Sequence, residues 1–162
     1  MSKLSIQIGL ARSGKSTFCK RWIQEGENRV VLSGDDFRWS ISNQRFKLED
    51  EQKVRESLVI ATKALLHGGY EVMVDETNTT EYHIRELMAI SPKSFKAYIN
   101  HCPIEICKQR AISCGQEDLL PSLDRMWANL QVTLPKIASN KIDIEYEEMG
   151  PIIRWIKSGY WN

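Results

Sequence analysis

Apolar residues recur along the chain at two periods, and the two periods alternate. The run Leu4-Ser5-Ile6-Gln7-Ile8 switches between apolar and polar at every step, the signature of a strand with its side chains on opposite faces. Val30–Ser33, Glu71–Val74, Ser94–Asn100 and Lys141–Glu145 predict four more strands, because Val, Ile and Tyr favour a pleated surface and turn residues flank each run. Between them the spacing lengthens to helical. Helices are expected at about Gly14–Gln24, Glu49–Leu66, Glu81–Ala89, Pro103–Ala111, Pro121–Leu130 and Ile152–Ile156. In the second of these Val54, Leu58, Ala61 and Leu65 form one apolar stripe, and His67-Gly68-Gly69 ends it.

Strands alternating with helices imply an α/β fold: a parallel sheet of about five strands, with helices on both faces. In such sheets ligands lie at the carboxyl ends of the strands. The residues just after each strand therefore carry the functional signal. After the first strand comes Gly9-Leu10-Ala11-Arg12-Ser13-Gly14-Lys15-Ser16-Thr17, a phosphate-binding P-loop. Glycines at its two ends let backbone N–H groups turn inward around a polyphosphate, and the helix that follows presents its positive end. Gly9, Ala11, Arg12, Ser13, Gly14, Lys15, Ser16 and Thr17 are the expected nucleotide contacts. Lys15 would reach the β- and γ-phosphates, and Ser16 would offer its hydroxyl to Mg²⁺. The fold expectation sharpens to a three-layer P-loop NTPase with a small helical lid.

Composition adds bounds. The 162 residues suit one domain spanning 1–162. With 22 basic and 21 acidic residues the net charge is +1, too small for a protein that coats nucleic acid, so any such contact is expected to be local. No apolar run approaches the roughly 20 residues of a membrane span. The N-terminus enters a strand at once, without a signal peptide, and the expected compartment is the cytoplasm. His101, Cys102, Cys107 and Cys114 fit no zinc spacing, and no CxxC pair occurs. Reduced, mostly buried thiols are expected instead.

After the second strand comes Ser33-Gly34-Asp35-Asp36-Phe37-Arg38. If a helix starts here, Asp35 and Arg38 share a face. Asp35 is then the candidate general base for a hydroxyl acceptor, and Arg38 the fork that grips a phosphate of that acceptor; a capping Asp and a surface Arg is the plainer alternative. After the third strand, Asp75 and Glu76 are candidates for holding the water shell of Mg²⁺ or orienting Lys15, while Thr77 and Asn78 could simply cap the next helix. Lys108, Arg110 and Arg125 flank a short loop, and residues 108–130 form the candidate lid, with Arg110 covering the migrating phosphoryl group. Arg38, Trp39, Arg45, Phe46, Lys47 and Lys53 interleave cations with aromatics. They either line a channel for a single strand or, in the case of Trp39 and Phe46, support the second long helix. Trp155, Tyr160 and Trp161 are expected to pack the end helix or form a contact patch.

Together these blocks resemble the polynucleotide 5′-hydroxyl kinase family of P-loop phosphotransferases. The resemblance rests on the P-loop, on Asp35-Asp36-Phe37-Arg38, on Asp75-x-Thr77-Asn78 and on Pro121-x-x-x-Arg125-Met126, and spans roughly residues 4–130. It implies transfer of the γ-phosphate of ATP, with Mg²⁺, to the 5′-hydroxyl of RNA or DNA. By the same resemblance Lys15 and Ser16 hold ATP and Mg²⁺, Asp35 is the general base and Arg38 contacts the acceptor's phosphate. The strand-three acid is Asp75 or Glu76. Lids of the family carry two arginines four residues apart; here Arg110 is followed at that distance by Cys114, which leaves Arg125 as the candidate second cation. Two other readings stand beside this one: phosphoryl transfer to a small-molecule hydroxyl, and a nucleotide-binding module without turnover. RNA or DNA preference, ATP or GTP use and oligomeric state are not written in the sequence.

Overall fold

A computed structural model describes residues 2–90 and 92–150. Five parallel strands form its sheet: β1 (Lys3–Ile8), β2 (Arg29–Ser33), β3 (Glu71–Asp75), β4 (Ser94–Asn100) and β5 (Glu145–Met149), in the spatial order β2-β3-β1-β4-β5. β1 lies at the centre, so both of its faces are covered. Its register pairs Ile6 with Val74 on one side and with Ala97 on the other.

The faces differ in depth. Leu4, Ile6 and Ile8 join Val72, Val74, Ala97 and Ile99 on the face packed by α3 (Glu51–His67), α4 (Glu81–Met88), α5 (Ile104–Ser113) and α6 (Leu120–Ala138). Leu58, Leu66, Ile84, Leu87, Cys107, Leu123 and Ile137 close that core. Truncating one of these leucines or isoleucines to alanine costs about 2–5 kcal/mol. On the other face α1 (Lys15–Trp22) packs Cys19 and Trp22 on Met73, with Phe18 against Tyr98 at 4.8 Å. Burial pushes the Cys19 thiol up to about 12, leaving it inert.

The expected alternation holds, with three differences. The helix expected to end at Leu130 runs on to Ala138 through Pro135. Leu130, Thr133 and Ile137 are buried along it, and Thr133 Oγ1 donates to Thr79 O at 2.8 Å, so packing carries the helix past the proline. The last strand begins at Glu145 rather than Lys141. Ile142 and Ile144 are buried, but only from the register Lys96–Glu145 onward does a ladder form. Gly34–Ser42 is a full helix, α2, closed by Asn43 at φ 51°. The expected helix at Ile152–Ile156 and the Trp155, Tyr160 and Trp161 cluster lie outside the described residues.

All four cysteines are free, with only Cys114 exposed. Among the described residues no cluster of ligating side chains could hold a metal by itself, and no helix is long and apolar enough to cross a membrane.

Candidate active site

The P-loop is wedged between the ends of β3 and β4. Gly9 N donates to Thr77 O at 2.9 Å, and a Cβ on Gly9 would lie 2.8 Å from Asn100 O. Backbone, not a movable side chain, fills that space, so only glycine fits. Gly14 is required for a different reason. A Cβ there would meet nothing within 4 Å, but φ is +100°, a conformation other residues rarely adopt. Arg12 also turns left-handed, at φ 64°.

Lys15, the first residue of α1, is buried and donates from Nζ to Leu10 O at 2.5 Å. Burial lowers its pKa, while Asp75, Glu76 and Asp35 pull the other way. Ser16 and Thr17 are exposed on the same first turn. α1 has no side-chain cap and no acid in its first turn, so its positive end is open to an anion. The Ser13 hydroxyl is buried without a partner, an orphaned donor inside the cradle that a phosphate oxygen would satisfy. Ala11 is half-buried beneath the loop, against the main core. These residues fit a polyphosphate.

Asp75 ends β3 beside β1 and pairs in register with Ser33. Its carboxylate accepts from the Ser16 hydroxyl; burial raises its pKa, which the Ser16 bond and Lys15 oppose and Asp35 and Asp36 reinforce. A hydroxyl and a carboxylate are hard oxygen donors, the usual protein share of a Mg²⁺ site completed by phosphates and water. Asp75 and Ser16 therefore fit that ion. Glu76 does something else. It turns over Gly34, where a Cβ would fall 1.3 Å from its Oε1, and accepts from Arg38 Nη1 at 3.2 Å. Burial raises its pKa and Arg38 opposes the rise. The ambiguity between the two acids thus divides spatially: Asp75 beside Ser16, Glu76 beside Arg38.

Asp35 and Arg38 do share a face of α2, as Arg38 Nη1 donates to Asp35 Oδ1 at 2.8 Å. Arg38 has further partners. Its Nε and Nη2 reach Glu51 Oε1 and Oε2 at 2.9 and 3.0 Å, a two-pronged pair with the first turn of α3. The guanidinium that was expected to face a substrate phosphate is held by three carboxylates.

The other expected cations are paired as well. Arg45 contacts Asp118, Lys47 contacts Glu49 and Asp50, and Lys53 bonds Asp50 at 2.7 Å. Trp39 and Phe46 are each more than half exposed. Thr77 and Asn78 do not cap α4; Thr80 does, accepting from His83 N. Asn78 is buried at φ 41° and donates to Gln7 O at 2.9 Å, stitching the exit of β3 to β1.

Arg110, on α5, donates to Arg12 O at 2.9 Å, which brings the proposed lid cation to the P-loop. Arg12 in turn reaches Gln116 Oε1 through Nε at 3.0 Å. Cys114 is exposed at the end of α5. Arg125 bonds Ser122 on its own helix at 3.1 Å, and Lys108 pairs with Asp124 at 2.7 Å. Sequence reasoning missed Glu51, Gln116 and Asp118. Each is an ordinary surface polar residue by sequence, and only tertiary contact distinguishes it.

Comparison with known proteins bears on the family and the fold. A family model described as "AAA domain" matches residues 4–113. L-seryl-tRNA(Sec) kinase from Methanococcus maripaludis is 29% identical over 121 residues, covering 70% of this chain and 47% of the relative; the chain thus spans about half the length of that curated relative. A chain of the Pnkp1/Rnl/Hen1 RNA repair complex superposes with a TM-score of 0.72 at 24% identity, over 83% of this chain and 46% of its own. The APS kinase CysC of Mycobacterium tuberculosis, solved with AMPPNP and APS, does so with a TM-score of 0.56 at 21% identity, over 68% of each chain. These two likenesses concern the fold.

Proposed function

The chain belongs to the AAA domain family and has a P-loop kinase-like fold, and from that premise we propose that it transfers the γ-phosphate of ATP to the 5′-hydroxyl end of RNA or DNA. The observation that carries the proposal is the convergence of Lys15, Asp75, Asp35 and Arg38 at the carboxyl edge of adjacent strands. The P-loop amides and Lys15 hold the triphosphate. Asp35 accepts the hydroxyl proton as the new oxygen–phosphorus bond forms and the β,γ-bridging bond breaks, releasing ADP. Arg110 balances charge on the phosphoryl group in transit. Ser16 and Asp75 are the residues to hold Mg²⁺, which when bound neutralises charge on the departing phosphates. Trp39, exposed one residue beyond Arg38, offers a face on which a terminal base stacks.

A second acceptor, a small-molecule hydroxyl, is favoured by one observation: Arg38, Arg45, Lys47 and Lys53 are all paired with carboxylates, which leaves less cationic surface for a nucleic-acid strand. Radiolabelled γ-phosphate separates the two. Label is expected on a 5′-hydroxyl oligonucleotide and not on the same oligonucleotide bearing a 5′-phosphate, nor on serine or a free sugar. Asp35→Asn should lower the rate about 10²- to 10³-fold while ATP still binds. Label on the small alcohols alone would move the assignment to the second acceptor; tight ATP binding with no transfer to any hydroxyl would end both.

A further inference from the structure

We propose that Glu51 is an internal stand-in for the acceptor's phosphate, occupying the Arg38 fork until substrate displaces it and thereby setting selectivity for phosphate-bearing acceptors. The inference rests on the polynucleotide reading above and assigns a role to a residue that reading does not use.

The geometry is that of phosphate recognition with a carboxylate in the phosphate's place. Arg38 presents Nε and Nη2 to the two oxygens of Glu51 at 2.9 and 3.0 Å, the parallel arrangement by which guanidinium grips either group. Nη1 is committed behind this pair, to Asp35 at 2.8 Å and Glu76 at 3.2 Å. One cation therefore faces three carboxylates. A substrate phosphate cannot join this set without meeting their combined charge, so one carboxylate must yield.

Glu51 is the one placed to do so. Glu76 is the least exposed of the three, at 14% against 26% for Glu51, and is seated against Gly34. Asp35 is the proposed base, and its departure would remove the chemistry. Glu51 comes from a different helix, at the first turn of α3, and among the described residues its side chain hydrogen-bonds Arg38 alone, while its backbone N–H is held separately by Leu48 O. Its exchange for a phosphate leaves Arg38 tied to Asp35 through Nη1 and frees the side of the fork that grips two oxygens. Arg38 thus aims the base and reads the phosphate with different nitrogens, and Glu51 keeps the second function closed in the absence of substrate.

The test uses two acceptors that share a 5′-hydroxyl, a nucleoside and its 3′-monophosphate, with kcat and KM measured for each. Glu51→Gln keeps the shape and removes the competing charge. It should raise the ratio of kcat/KM for the phosphorylated over the plain acceptor about tenfold, the value of one charge-assisted contact, through a lower KM for the phosphorylated acceptor. A purely structural role would depress both acceptors alike, so a ratio that stays put or falls overturns the proposal. Should Glu51→Gln not fold, as judged by thermal melting, Glu51→Asp withdraws the carboxylate by one methylene and must move the ratio in the same direction. Wild-type protein that labels the oligonucleotide while both variants leave the ratio unmoved sinks this inference alone. Wild-type protein that labels no 5′-hydroxyl acceptor sinks the reading beneath it, and the inference falls with it.

Discussion

The proposed donor and acceptor sides of the site are made of different material. On the donor side the cradle is shaped by backbone: Gly9 pressed on Asn100 O, Gly14 at φ +100°, and α1 opening directly from the loop. On the acceptor side the shape comes from side-chain charge: Arg38 among Asp35, Glu51 and Glu76, Arg45 against Asp118, and Lys47 and Lys53 around Asp50. A backbone cradle exists before ligand arrives and costs little to reorganise. An ion-paired surface must trade partners to bind anything charged, and its affinity is a difference between two sets of contacts. On the proposed reading, the donor side can be common to many phosphotransferases, and selectivity is tuned on the acceptor side.

The largest expected effect probes the span between the two. Arg110→Ala removes the proposed lid cation, which bonds Arg12 O in the P-loop, and should lower kcat about 10³-fold with a smaller change in KM for ATP. Loss confined to ATP affinity would show that Arg110 only braces the loop.

A smaller effect is expected at the seam inside the acceptor side. Gly34→Ala places a methyl where Glu76 Oε1 now lies. The carboxylate can swing away, so the protein should fold, but its bond to Arg38 is lost. We expect a change of about tenfold in acceptor KM and none in ATP affinity by calorimetry. Weakened ATP binding would mean that the two sides are not separable as described.

The smallest effect is a displacement in pH. Asp75 must be ionised to hold Mg²⁺, and burial, opposed by Ser16, raises its pKa above the ordinary aspartate value. The acid limb of activity should therefore fall above about pH 4 and move to lower pH as Mg²⁺ is increased, since metal and proton compete for one carboxylate. A limb indifferent to Mg²⁺ would remove Asp75 from metal binding. For the ligand-free protein the sign reverses. Asp75 and Glu76 bind protons more readily folded than unfolded, so their contribution to stability falls as pH rises through their folded pKa values.

Much of the fold was legible because it is written in local period. Leu4, Ile6 and Ile8 announce a strand with one deep face, and that face meets α3 to α6. The helix expected over Pro121–Leu130 extends to Ala138 because tertiary packing buries Leu130, Thr133 and Ile137 along it and carries it past Pro135. The sequence misjudged β5 because Ile142 and Ile144 look like strand residues and are buried without the ladder. At the site, the cluster of Asp35 with Arg38 was visible from their spacing of one helical turn. That Arg38 would be occupied was not, because Glu51 lies on another helix and no local rule links them.

The sequence by itself determined the alternation of strands and helices, the P-loop and the placement of acids after β2 and β3, since each depends on neighbours within a few positions along the chain. Tertiary structure alone decided which of two adjacent acids approaches Ser16 and which approaches Arg38, what closes the arginine's fork, and how Arg110 meets the P-loop. Those contacts join side chains from elements far apart in sequence, and Coulomb attraction and burial depend on distance through space rather than along the backbone.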